Sequence, residues 1–187
     1  MDVKGLAVDT VRHYLAILKK VCRIAYKEGY AERCHFANFT LPQKTERTPR
    51  ALSREDFEKI RDVEIPAWRT THILVRDLFL FACYTGTAYV DAVSVTRDNL
   101  YTDDEGCLWL KYRRQKNELR ASVKLLPEAL ALIEKYHDEN RPTLFPMIYH
   151  PNLRRHMKSL AVLAGVSSTL CYHQARHSFA SLITLEA

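Results

Sequence analysis

The stretch "YHQARHSFASLITLEA", residues 172–187, sets His173, Arg176 and His177 at i, i+3 and i+4. A helix puts all three on one face. An apolar run, Phe179, Ala180, Leu182 and Ile183, follows at once. The segment therefore predicts a helix that opens on a cluster of potential positive charge and runs on into a core. Three chemistries use such a cluster. In the first, Arg176 pairs with a core carboxylate such as Asp91, and the histidines are satisfied side chains. In the second, His173 and His177 chelate zinc, with Cys171 as a candidate third ligand. Position 174 is Gln, however, so the glutamate base of a metalloprotease is missing. In the third, the planar arginine fork holds two oxygens of a phosphate. A neighbouring His then donates to the same group or moves a proton. On the first turn of a helix, both side chains also gain from amide dipoles aimed at the anion.

The rest of the chain narrows the choice. It has 187 residues, 47% hydrophobic and 27% charged, with only five glycines, which reads as a globular protein with a real core. No run of about 18 uncharged apolar residues exists, so no membrane span is expected. The opening "MDVKGLAVDT" lacks the apolar stretch of a signal peptide. Cysteines 22, 34, 83, 107 and 171 form no C-x-x-C pair and read as reduced thiols of a cytoplasmic protein. Net charge is +6. Residues 1–50 hold ten Lys or Arg against five acids, so +5 of that excess lies there. Such asymmetry suits a polyanionic partner, above all nucleic acid, although a basic helical face is also an ordinary solvated surface.

Periodicity divides the chain. Thr10 is a candidate cap for a helix to about Glu28, with Val11, Tyr14, Leu15, Leu18, Val21, Cys22 and Ala25 as its apolar stripe and Gly29 as its stop. Arg12, Lys19, Arg23 and Lys27 lie largely off that stripe. A short follower, "HFANF", cannot close a core with one helix, so residues 1–44 read as part of a larger helical module. "LPQKTERTPRA", residues 41–51, contains the linker, drawn at 45–50. "SRED" resembles a capping box, with Ser53 at N-cap and Asp56 at N3. A central buried helix is predicted over about Thr70–Tyr84, ended by Gly86. "CLWLKYRRQ", the polar turn "KNEL" and "RASVKLL" read as a β-hairpin or meander led in by "TDDEG". Pro127 opens a further helix, "PEALALIEKYHDE", and another covers about Asn152–Ala164. The sum is α+β, mostly helical with a small antiparallel sheet.

"YHQARHSFAS" is similar to the His-x-x-Arg box of the tyrosine recombinases, the phage-integrase family. Other segments follow in that family's order. "LFLFACYTGTAYVDAVSVTRDNL" looks like its first box, and "RRQKNELRASVKLLPEALALIEKY" looks like its lysine-bearing hairpin and the helix after it. "TVRHYLAILKKVCRIAYKEGY" resembles the last long helix of its core-binding domain. The resemblance implies a core-binding piece at 1–44 and a catalytic domain at 51–187. It implies that Arg176 grips the scissile phosphate, with His173 as its hydrogen-bonding and proton-handling companion. Lys116, otherwise an ordinary turn lysine, becomes the general acid for the leaving 5′-hydroxyl. Lys19, Arg23, Lys27, Arg113 and Arg114 become candidate DNA contacts. A tyrosine attacks the phosphate, so neither metal nor ATP nor any other cofactor is expected. The implied partner is double-stranded DNA at recombination sites of a mobile element, bound by a homotetramer of the full-length protein.

Two positions depart from the pattern. The first-box arginine is replaced by Ala88, in Thr-Gly-Thr-Ala-Tyr; Arg113, Arg114 or the Tyr89 hydroxyl are candidates to stand in for it. None of the ten tyrosines follows Tyr172, so the nucleophile's place is not represented, and the expectation is a fragment inactive by itself. The rivals are a non-catalytic DNA-binding protein using the same fold and a helical protein-interaction module. The latter leaves Lys116, His173 and Arg176 unexplained.

Overall fold

The computed structural model describes residues 5–44, 51–166 and 170–183. The chain divides into two compact units, Met1–Thr48 and Pro49–Ala187. The linker expected at 45–50 lies outside the described residues. The first unit is built on α1, Val8–Lys27. It opens ahead of Thr10, with Ala7 at the N-cap making no side-chain cap bond. Gly29, at φ +78°, follows its C-terminal residue Glu28, and the Tyr30 N–H closes back onto the Ala25 carbonyl at 2.9 Å. The "HFANF" follower is a pair of turns rather than a helix, closed by Ala37 N–H on Cys34 and Phe39 N–H on Phe36. No residue of α1 is buried, and Tyr14 and Val21 are each more than half exposed.

The second unit begins with α2, Arg54–Asp62, where the Ser53 hydroxyl accepts from the Asp56 N–H at 3.1 Å. Then α3, Thr70–Thr85, runs through the middle of the unit, with every residue from Asp77 to Thr85 buried. Its side chains are apolar on nearly every face, which is why it is enclosed rather than lying on the surface. Gly86, at φ +66°, takes the left-handed C-cap conformation that glycine adopts without steric penalty. A short helix, α4 at Tyr89–Ala92, leads through a 3-10 turn at Arg97–Asn99 into β1, Leu100–Thr102. β2, Leu108–Arg113, pairs antiparallel with β1 and with β3, Arg120–Lys124, giving a three-stranded sheet in the order β1-β2-β3. α5, Pro127–Lys135, has proline at its first position and ends four residues short of the helix read from the sequence. α6, His150–Leu163, and α7, Tyr172–Ser178, follow, and α7 passes into a π-helical turn at Phe179–Ile183. The fold is α+β, as the alternating periods require.

One buried charge ties the helical layers together. Asp77, 1% exposed, accepts from Arg76 Nε at 2.9 Å, Lys135 Nζ at 2.6 Å and the Tyr136 hydroxyl at 2.8 Å. A carboxylate buried this deeply persists because three donors replace its water. Burial and the neighbouring carboxylate push the Tyr136 phenol well up, so it stays a donor at all ordinary pH. Asp77→Asn keeps the shape but removes the charge the three donors share. The expected cost is about 2–3 kcal/mol, because hydrogen bonds to a charged group are worth about 1.5–3 kcal/mol net. Calorimetry should show it as a Tm lower by roughly 5–10 °C.

Candidate phosphate-binding site

The hairpin turn between β2 and β3 presents Lys116. Register puts Arg113 opposite Arg120, and the turn closes with the Arg114 N–H on the Leu119 carbonyl at 2.9 Å. The Arg114 carbonyl accepts from Glu118 N–H at 2.8 Å, with Glu118 held at φ +56°. What fixes the turn in space is Asp91. This buried carboxylate of α4 accepts the Gln115 N–H at 3.0 Å through Oδ1, and Gln115 Nε2 reaches the Val90 carbonyl at 3.4 Å. A turn with an exposed, charged tip is thereby tied to the C-terminal side of the central helix.

α7 arrives at the same place from another direction. Its opening is set by Cys171, whose N–H donates to Gln174 Oε1 at 2.7 Å, and by the buried Tyr172 hydroxyl, which donates to the Leu78 carbonyl at 2.9 Å. Ser178 Oγ accepts the Leu52 N–H at 2.9 Å. The Phe179 ring covers Gly86 so closely that a Cβ there would stand 2.7 Å from it. α7 starts at Tyr172, so His173 lies in the first turn but Arg176 lies in the last. The dipole argument made from the sequence therefore applies to His173 and fails for Arg176. The tyrosine ring fills the core and so dictates where the helix begins.

The electrostatics join these pieces. His173 is exposed, yet its imidazole titrates below its ordinary range, first through partial desolvation and then through His177, Arg176 and Lys116. Lys116 and Arg176, distant in sequence, thus both act on the His173 imidazole. His173 is neutral at pH 7 and can both donate and accept. His177 stacks edge-on against it, centroids 4.7 Å apart. No ion pair among the described residues joins Arg176 to a carboxylate, and Asp91 is committed to the hairpin. The one group of three metal-type donors among the described residues is Asp103, Glu105 and Cys107, which includes neither histidine.

Ala88 is half-buried at the N-cap of α4. The neighbouring Tyr89 hydroxyl, a candidate from the sequence to replace a guanidinium there, is turned away: it donates to the Ile148 carbonyl and accepts from the Ile148 N–H at 3.1 Å. Arg113 and Arg114 point to opposite faces, as strand alternation requires. Arg113 is exposed and shares a groove with Lys111, Arg120 and Ser122. Arg114 is half-buried on the face of Tyr112. In the first unit Lys19 donates to the Phe39 carbonyl at 2.7 Å while remaining solvent-accessible, Arg23 is exposed, and Lys27 ends α1. Lys111 and Arg120 were not singled out from the sequence. The alternation in "CLWLKYRRQ" carried the signal, since it puts residues 111 and 113 on one face, and the pairing of β2 with β3 adds Arg120. Like charges directly opposite across a sheet repel, so this face favours an anion.

No family model matches the chain. Two curated relatives are tyrosine recombinases named XerD: that of Chlorobaculum tepidum is 23% identical over 95% of this chain and 62% of its own, and that of Listeria monocytogenes is 22% identical over 95% and 63%. The chain therefore spans less than two thirds of the relatives it matches. Among solved structures, it superposes on the XerH site-specific recombinase bound to difH substrate with a TM-score of 0.70 at 20% identity, covering 97% of this chain and 56% of that one. A lambda integrase dimer bound to a COC′ core site gives a TM-score of 0.74 at 16% identity, covering 96% and 68%. The chain is thus similar in sequence to tyrosine recombinases and shares the fold of these solved integrase structures.

The cluster has a direct spectroscopic signature. Lys116→Ala and Arg176→Ala should each raise the His173 pKa, because each removes a positive charge that disfavours the imidazolium. NMR titration of the His173 ring reports this, with His35 on the other unit as an unchanged reference. A His173 pKa untouched by both substitutions contradicts the shared site.

Proposed function

We propose that the chain is part of a site-specific DNA recombinase that cleaves and rejoins duplex DNA through a 3′-phosphotyrosyl intermediate, acting in the cytoplasm as a tetramer on its recombination sites. The observation that carries this reading is that the charges of both Arg176 and Lys116 bear on the His173 imidazole, while no ion pair among the described residues joins Arg176 to a carboxylate. In the proposed reaction Arg176 holds two non-bridging oxygens of the scissile phosphate. Neutral His173 donates to the same group. A tyrosine oxygen attacks phosphorus, the bond to the 5′-oxygen breaks, and Lys116 gives that oxygen its proton. Residues 1–44 serve as part of a core-binding domain and 51–187 as catalytic domain. Lys19, Arg23 and Lys27 contact DNA from the first, and Arg113 with Arg114 from the second.

The attacking tyrosine is proposed to come from outside these 187 residues. The tyrosines packed around the site are poor nucleophiles: burial pushes the Tyr172 phenol well above its ordinary range and also raises Tyr89 and Tyr112. Each would have to leave the core to reach a phosphate. Ala88 favours a second reading, a DNA-binding protein without chemistry, because a methyl group supplies no donor where the resemblance implies an arginine.

Two experiments test the proposal. Duplex DNA should bind this chain with affinity that falls steeply with salt, each phosphate contact contributing about −0.9 to the log–log slope. Replacing Lys19, Arg23 and Lys27 by Ala should flatten the slope in a mobility-shift titration; binding indifferent to salt contradicts the proposal. On a nicked suicide duplex the 187-residue chain should form no adduct that survives denaturation. A covalent adduct would show that one of its own tyrosines attacks.

A further inference from the structure

Arg114 follows β2 by one position, and its backbone is engaged on both sides, the N–H on Leu119 and the carbonyl with Glu118. Its side chain is engaged only in part, with the Tyr112 hydroxyl. The Arg114 Nε is sealed from water and has no hydrogen-bond partner among the described residues. Buried donors in folded proteins nearly always find an acceptor, so an orphan guanidinium N–H at a candidate site points to an acceptor that arrives with the ligand.

The surroundings say what that acceptor is. Asp91, the carboxylate of α4, is committed to the Gln115 N–H, next in sequence to Arg114. That bond sets Arg114 against α4, which begins just after Ala88. Phe179, one turn beyond Arg176 on the same continuous helix, covers Gly86, two residues before Ala88. The phenol of Tyr112, raised by burial and by Asp91, is pulled back down by Arg114 and by Arg176 alike. Both guanidiniums thus act on one phenol of the hairpin, and the carboxylate nearest it, Asp91, is taken up by the Gln115 N–H, with no ion pair among the described residues joining it to either arginine. Like charges brought near one partly desolvated place favour a further anion there. Arg113 is excluded, because it faces the opposite groove with Lys111 and Arg120.

We propose that Arg114 is a second phosphate-gripping arginine of this site, its Nε–H donating to the same oxyanion that Arg176 holds. The inference rests on the phosphate-binding reading above and supplies the donor that Ala88 lacks. Arginine suits the task through its fixed fork; lysine at the same position has no Nε–H and offers only a point charge.

The test uses the 187-residue chain and orthovanadate, a phosphate analogue that accepts five-coordinate geometry. Side-chain NMR of the arginine Nε–H groups should show the Arg114 signal shifting on titration, together with that of Arg176. Arg114→Ala should weaken vanadate binding roughly tenfold to hundredfold, the value of one hydrogen bond to a charged group. Arg114→Lys should recover little of it. The double variant Ala88→Arg with Arg114→Ala should recover binding, which a purely structural role for Arg114 does not predict. If Arg176→Ala abolishes binding while Arg114→Ala is silent, this inference fails and the phosphate-binding reading stands. If neither arginine affects vanadate binding, the phosphate-binding reading itself fails. Should Arg114→Ala not fold, the wild-type titration decides alone: an Arg114 Nε–H signal unmoved by saturating vanadate overturns the proposal.

Discussion

The hydrogen bond from the Gln115 N–H to the Asp91 carboxylate, 3.0 Å long, is the constraint on which the site depends. Without it the β2–β3 turn is a polar loop with an exposed lysine at its tip. With it, the turn is fixed to α4, α4 is fixed to the end of the buried α3, and α7 packs over the same corner through Phe179 and Gly86. A buried carboxylate facing two arginines would ordinarily be spent in a salt bridge. Here it is spent on a backbone amide, and the arginines stay available.

Much of this was legible in the sequence, and the physical reasons differ by element. α3 was readable because its residues are apolar on nearly all sides and Gly86 supplies an unambiguous stop. The sheet was readable because the period changes and the turn residues are polar. The N-terminal boundary of α1 was misread because Thr10 is a good cap by type, but nothing obliges a helix to begin at its best cap when Val8 and Asp9 also accept helical geometry. The two-turn "HFANF" segment was too short for any period to discriminate.

At the site itself, residue types and spacing marked His173 and Arg176, and the family resemblance added Lys116, but their mutual placement depends on tertiary contacts that no local pattern encodes. Alternation along β2 predicted that only one of Arg113 and Arg114 faces inward; which one follows from the burial of Tyr112, a fact of packing. Tyr89 was a reasonable donor by proximity in sequence to Ala88, yet its hydroxyl is committed to the backbone of Ile148, 59 residues away. Local reasoning identifies chemistry; the long-range hydrogen bonds decide which of it is available.

α1 carries a different consequence. Its apolar stripe has no fully buried member, and within its own unit the helix is held in part by Arg12 and Lys19, which donate to the Pro42 and Phe39 carbonyls. Most of the stability of a protein helix comes from packing of its apolar face rather than from propensity. A surface that covered the stripe would therefore add to the order of α1. Coupling of order to binding lowers affinity per unit of area while making the encounter reversible. The recombinase proposed above, which would be built on DNA and then come apart, would be served by a helix that a partner surface completes.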